Sequence, residues 1–119
     1  MHVLVVANCA PVRRALRRGF VACGHDVSEA AHGLEALELL GRGHVPDLIT
    51  VDCDVPVMSG IELVRTLRRD PRLESTRIVM VTAHEAQASA MLAREAGADG
   101  YVTKPFWPDV FVPAVSRSG

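Results

Sequence analysis

The sequence predicts an α/β fold, a doubly wound sheet of five parallel strands. Three observations predict it. Short apolar runs of strand length alternate with longer stretches of helical period, and five such units can be counted. The composition, 49% hydrophobic but only 4% aromatic, calls for a core of Val, Leu, Ile and Ala, which suits a parallel sheet under helices. The length of 119 residues accommodates one domain, taken as 1–119, with a real core and no need of disulfide or metal staples.

The first strand is Val3-Leu4-Val5-Val6. The helix after it starts near Pro11, a residue suited to a first helical turn, and spaces Val12, Leu16 and Phe20 along one face. Arg13, Arg14, Arg17 and Arg18 then fall largely toward solvent. Gly24 closes this helix, a short strand follows around Asp26 to Ser28, and a second helix carries Leu34, Leu37 and Leu40 before Gly41 and Gly43. After Pro46, Leu48-Ile49-Thr50-Val51 reads as a central strand. Pro56 and Gly60 punctuate a loop, and a third helix presenting Ile61, Val64 and Leu67 ends at Asp70-Pro71. Ile78 to Val81 forms the fourth strand, Glu85 to Ala96 an alanine-rich fourth helix, and Tyr101-Val102 a short fifth strand. The last helix, from about Trp107, is short because Pro108 and Pro113 flank it, and the tail 116–119 is expected to fray.

Thirteen basic against fourteen acidic side chains give a formal charge of −1, so there is no overall drive toward nucleic acid or anionic membrane. Such a partner would need a local patch. The cysteines, Cys9, Cys23 and Cys53, are odd in number and lack metal-type spacing, which argues against a disulfide framework or zinc site and for a reducing cytoplasm. Free cysteines are expected to behave as small buried hydrophobes, and His2, His25, His32, His44 and His84 as solvated residues. The apolar stretch after Met1 is too short for a signal-peptide core or a membrane span.

Right-handed crossovers align the five strands in parallel and bring their carboxyl ends to one edge, where ligands of open α/β sheets bind. The residues there are Ala7 and Asn8, Asp52, Thr82 and, shortly past the fifth strand, Lys104. Any one alone is ordinary: an Asp after a buried strand is commonly a structural ion pair, and a Thr in a strand is unremarkable. Together they supply a carboxylate nucleophile, an ammonium and a hydroxyl, the set that a phosphoryl acceptor requires.

Several segments then resemble the receiver domains of two-component response regulators, those of chemotaxis regulators among them. Pro46-Asp47-Leu48-Ile49, Asp52 and Val55-Pro56-Val57-Met58-Ser59-Gly60 are similar to the phosphoacceptor strand and its following loop. Val81-Thr82-Ala83 and the run Gly97 to Phe106 resemble the switch threonine and the segment holding the switch aromatic and pocket lysine, and Gly33 to Leu37 matches the start of the second helix. The resemblance implies the flavodoxin-like (βα)5 receiver fold, with Asp52 as phosphoacceptor and Thr82 and Lys104 as its partners. Tyr101 is then the switch aromatic and Ala83 the small neighbour of the switch threonine. It also implies a phosphorelay role without enzymatic turnover of its own, a sensor histidine kinase or phosphotransfer protein as donor, and a downstream output domain or protein.

Receiver domains bind magnesium through an acidic pair after the first strand, the phosphoacceptor, and a backbone carbonyl two residues beyond it, here that of Asp54. Ala7-Asn8 replaces the pair. Asn8, Asp52 and Asp54 would then form only a weak site for Mg2+, because a hard cation favours charged oxygens. The alternative to a phosphorylated switch is a pseudo-receiver that acts by binding alone. A small flavodoxin-like enzyme or nucleotide binder is disfavoured by the lack of a Gly-rich loop after the first strand.

Overall fold

A computed structural model describes residues 1–52, 59–82 and 87–103. In chain order it has β1 (His2–Val6), α1 (Ala10–Ala22), β2 (Asp26–Ala30), α2 (Gly33–Gly41), β3 (Leu48–Asp52), α3 (Gly60–Arg68), a single turn of 3-10 helix (Pro71–Leu73), β4 (Arg77–Thr82), α4 (Gln87–Ala96) and β5 (Gly100–Thr103). The strands form one parallel sheet in the order β2-β1-β3-β4-β5. The expected last helix and the start of α4 at Glu85 lie outside the described residues.

β3 sits in the middle, with every residue buried. A strand covered on both faces reads as a nearly continuous apolar run, as Leu48 to Val51 does. One face of the sheet carries Val3, Val5, Ala7, Leu48, Val79 and Val81 against Leu16 and Phe20 of α1. The other carries Leu4, Val6, Ile49, Val51, Ile78 and Met80 against α2, α3 and α4. Each fully buried Leu, Ile or Phe in these layers contributes about 1.5–3 kcal/mol relative to exposure.

α1 begins at Ala10, with Cys9 at the N-cap and Pro11 in the first turn, where its missing N–H has no helical acceptor to serve. It ends through Gly24, whose φ of 89° lets the chain turn back while His25 N–H donates to Phe20 O. In α2 the core residues are Gly33, Ala36 and Leu40; Leu34 is exposed and Leu37 only partly buried. The helix thus presents two small residues and Leu40 to the sheet. α3 starts at Ser59, whose hydroxyl accepts the Glu62 N–H at 3.2 Å, and buries Leu63, Val64 and Leu67.

Three expectations are corrected. β2 runs to Ala30 rather than Ser28, because pairing with β1 extends an edge strand through polar residues that lack an apolar run. Cys9 and Cys23 are exposed, not buried, since one caps α1 and the other terminates it; Cys53 lies outside the described residues. Of the histidines, His84 lies outside the described residues, and the others are not simply solvated. His32 caps α2, its Nδ1 accepting the Glu35 N–H at 3.2 Å, and His2 stacks on His44 while its Nε2 lies 3.1 Å from the Ser28 hydroxyl.

At the base of β4 and β5, Arg68 gathers three segments. Its Nε donates to Gly97 O at 2.7 Å, its Nη1 to Leu73 O at 3.0 Å, and its Nη2 to the Asp99 carboxylate. Asp99 in turn accepts the Ile78 N–H at 2.9 Å.

Candidate functional site at the carboxyl edge of the sheet

The order β2-β1-β3 means that the chain leaves β1 toward one side and returns as β3 on the other, so the topological switch lies between them. Val6 pairs with Val51, and continuing that register by one residue sets Ala7 beside Asp52. Val51 packs toward α2 to α4, so strand alternation turns Asp52 to the α1 face, the face on which Ala7 is buried. Asp52 is only 6% exposed and is partnered; Ala7 is 2% exposed. A carboxylate this buried needs compensation, which at a strand end makes it a candidate for chemistry.

Asp52 pairs with Val81, which places Thr82 one residue further along the neighbouring strand and opposite Thr103. Asn8 is exposed just past β1. Ala7, Asn8, Asp52 and the backbone of Thr82 therefore converge at one edge, as the sequence predicts. Asp54, Ala83 and Lys104 lie outside the described residues. Tyr101, on β5 opposite Met80, is half-buried and packs against the cluster formed with α2, α3 and α4.

Arg13 and Glu29 join this edge without having been singled out. The Arg13 Nη1 donates to the Ala7 carbonyl at 2.8 Å, while Glu29 holds Arg13 at 3.4 Å and Arg17 at 3.2 Å. Val27 packs on the α1 face, so alternation in β2 puts Glu29 there too. That signal was present in the sequence once the strand was extended to Ala30.

The residues available to a divalent cation differ from a magnesium cradle. Ala7 beside Asp52 offers a methyl group, and Asn8 offers a neutral amide. Among the described residues no cluster of three or more His, Cys, Asp or Glu side chains could hold a metal ion. Nor is any helix among them long and apolar enough to cross a membrane.

The sequence profile of the response regulator receiver domain matches residues 3–116. The chain is 37% identical over 111 residues to a chemotaxis protein CheY homolog of Campylobacter jejuni, covering 92% of this chain and 85% of that one. It is 34% identical to the chemotaxis protein CheY of Pseudomonas aeruginosa, over 98% of this chain and 94% of the relative. Its fold superposes on the chemotaxis response regulator CheY4 of Vibrio cholerae with a TM-score of 0.90 at 29% identity, covering 98% and 96% of the two chains.

Proposed function

Because the chain belongs to the response regulator receiver domain family, whose members are phosphoacceptor signalling domains, we propose that Asp52 is the residue that takes the phosphoryl group here. The observation that carries this is the position of Asp52, a buried carboxylate ending the central strand at the switch in strand order. One carboxylate oxygen forms a P–O bond as the donor's bond to phosphorus breaks, so a phosphohistidine protonated on its other ring nitrogen leaves as neutral imidazole and a small acyl phosphate releases its carboxylate. Thr82 supplies a hydroxyl and Lys104 an ammonium to the phosphoryl oxygens, the roles that the family resemblance gives them. The domain serves as acceptor and switch rather than as an enzyme.

The donor is a sensor histidine kinase or a phosphotransfer protein, and the output is a downstream domain or protein reached through a surface that includes Tyr101 and α4. Phosphorylation shifts a two-state equilibrium at that surface.

Magnesium does not fit the described residues as it would fit a receiver with two acids after β1. The Ala7 side chain contributes no oxygen, its carbonyl is taken by Arg13, Asn8 contributes no charge, and magnesium gives up its water reluctantly to neutral ligands. This favours slow phosphorylation or, as a second reading, a pseudo-receiver that binds partners unmodified.

Intact mass of the native protein and of Asp52→Asn after incubation with acetyl phosphate, with and without magnesium, tests the reading. A mass gain of one phosphoryl group in the native protein alone supports it. No gain under any condition selects the pseudo-receiver, and a gain that survives in Asp52→Asn places the acceptor elsewhere.

A further inference from the structure

Among the described first turns, α1 has no side-chain cap at Cys9, α3 is capped by the Ser59 hydroxyl and the 3-10 turn by the Asp70 carboxylate. α2 is capped by an imidazole, whose Nδ1 in His32 accepts the Glu35 N–H at 3.2 Å. A hydroxyl caps alike across the neutral range, whereas a ring nitrogen accepts only while it carries no proton. Imidazole is the side chain that ordinarily takes up its proton between about pH 5 and 8. A protonated ring is opposed twice at this position. Its Nδ1–H meets the Glu35 N–H donor to donor, and its charge stands at the helix N-terminus, where the backbone dipole disfavours cations.

We propose that His32 is a pH-sensitive latch on the first turn of α2, closed by the neutral ring and released by protonation. Glu35, the acidic residue of that turn, serves both states: its backbone N–H goes to the neutral ring and its carboxylate attracts the protonated one. α2 packs on β1 and β2, whose residues on that face include His2 and Asp26, both at the amino ends of the strands and so at the opposite edge from the cap. Cys9, Arg13 and Glu29 belong to the α1 face. At the far end of α2, Glu38 pairs with Arg42, and Arg72 donates to the Leu40 carbonyl. The described carboxylates on the α2 side at the cap end are therefore Glu35 and, from the start of α3, Glu62. The latch bears on the candidate site because Ala36, one turn past the cap, is packed in one cluster with Ala30 and Val6, the last residues of β2 and β1. Ala7 and Asn8 follow Val6 directly. Acid thus loosens the cover over the strand ends at that edge, whether or not Asp52 is phosphorylated. Because the capping bond needs the neutral ring, its stabilisation is present above the imidazole range and lost as pH falls through it.

Thermal melting of the native protein, of His32→Asn, which caps without titrating, and of His32→Ala, which cannot cap, tests the latch at about pH 7.5 and about pH 5.5. The other histidines titrate in all three proteins, so the differences isolate position 32. Near pH 7.5 the native protein and His32→Asn should both melt about 4 °C above His32→Ala. Near pH 5.5 the native lead should vanish while that of His32→Asn persists. In the native protein alone, the Glu35 amide should exchange about fivefold faster in acid after correction for intrinsic chemistry, the factor that a typical cap is worth. Glu35→Gln, which keeps the amide and removes the charge, should release at a lower pH. A native lead over His32→Ala that is absent or equal at both pH values, or a Glu35 amide equally protected at both, would overturn the latch. Release at the native pH in Glu35→Gln would overturn the exchange of partners.

Discussion

Arg68 and Asp99, 31 positions apart in sequence, are joined by an ion pair that closes over the starting ends of β4 and β5. The same guanidinium satisfies the carbonyls of Gly97 and Leu73, so one side chain ties the end of α3, the 3-10 turn and the entry to β5. These contacts lie at the sheet edge opposite Asp52. They tie together the base of β4 and β5.

Arg68→Ala should lower stability by about 1–3 kcal/mol, because its side chain is only 22% exposed and its loss takes a donor from the Gly97 and Leu73 carbonyls and the cation from Asp99, which keeps the Ile78 N–H. Urea unfolding with an unchanged slope would measure this. Arg68→Lys should recover little, since one ammonium cannot span three acceptors held by a planar fork. A loss near zero in Arg68→Ala would show that the contacts are incidental.

Gly97 has φ of 114°, and a Cβ there would come within 2.3 Å of the Arg68 Cγ. Gly97→Ala should therefore cost about 1–3 kcal/mol from backbone strain, with a further loss from the displaced arginine. In the Arg68→Ala background the collision with Cγ disappears, leaving the strain and a close approach of 3.2 Å to the Cβ at position 68. The two substitutions should accordingly be less than additive in a double-mutant cycle.

Ala7→Asp with Asn8→Asp should place new carboxylates beside the buried Asp52. In the absence of metal this should destabilise the fold by about 3–5 kcal/mol, the order expected for an uncompensated buried charge. Added magnesium should restore the melting temperature of the variant and raise its phosphodonor-dependent mass gain, while shifting the native protein little. Tight magnesium binding by the native protein, or a variant indifferent to the ion, would show that the missing acids do not govern the site.

The sheet and the placement of Asp52 were legible because apolar runs of strand length are set by local sequence, and a parallel sheet makes their ends coincide. What stayed hidden depends on contacts between distant residues. Nothing near Arg68 in sequence announces Gly97 or Asp99. The 3-10 turn shows only as the stop at Asp70-Pro71, and His32 gives no local sign that its ring caps α2. Glu29 was obscured because β2, an edge strand, carries polar residues where a central strand would be apolar.

Thr50 illustrates the same limit within the best-read strand. It is buried, and among the described residues its hydroxyl has no hydrogen-bond partner. Thr50→Val keeps the branched shape and removes the unsatisfied group, so it should stabilise the protein by about 1 kcal/mol, read as a higher urea midpoint. A destabilised variant would mean that the hydroxyl is satisfied after all.

Asp70 caps the 3-10 turn, accepting the Arg72 N–H at 3.0 Å, and the side-chain hydrogen bonds from Arg72 hold its carboxyl below the usual carboxylate range. A lowered folded-state pKa adds stability above the ordinary carboxylate value and loses it as pH falls through the lowered one. Asp70→Asn should differ from the native protein by a constant amount near neutrality, and the difference should shrink in acid. Urea midpoints measured across that range would reveal the convergence; a gap that widens in acid would contradict the pairing.

Because every residue of β3 is buried and the strand is paired on both sides, its amide hydrogens have no route to solvent short of opening the whole sheet. In deuterium labelling these amides should exchange at the rate set by global unfolding, while those of the edge strand β2 exchange through smaller fluctuations. Asp52 is thus carried by the last segment to open, and the acceptor keeps its place through every partial loosening of the molecule around it.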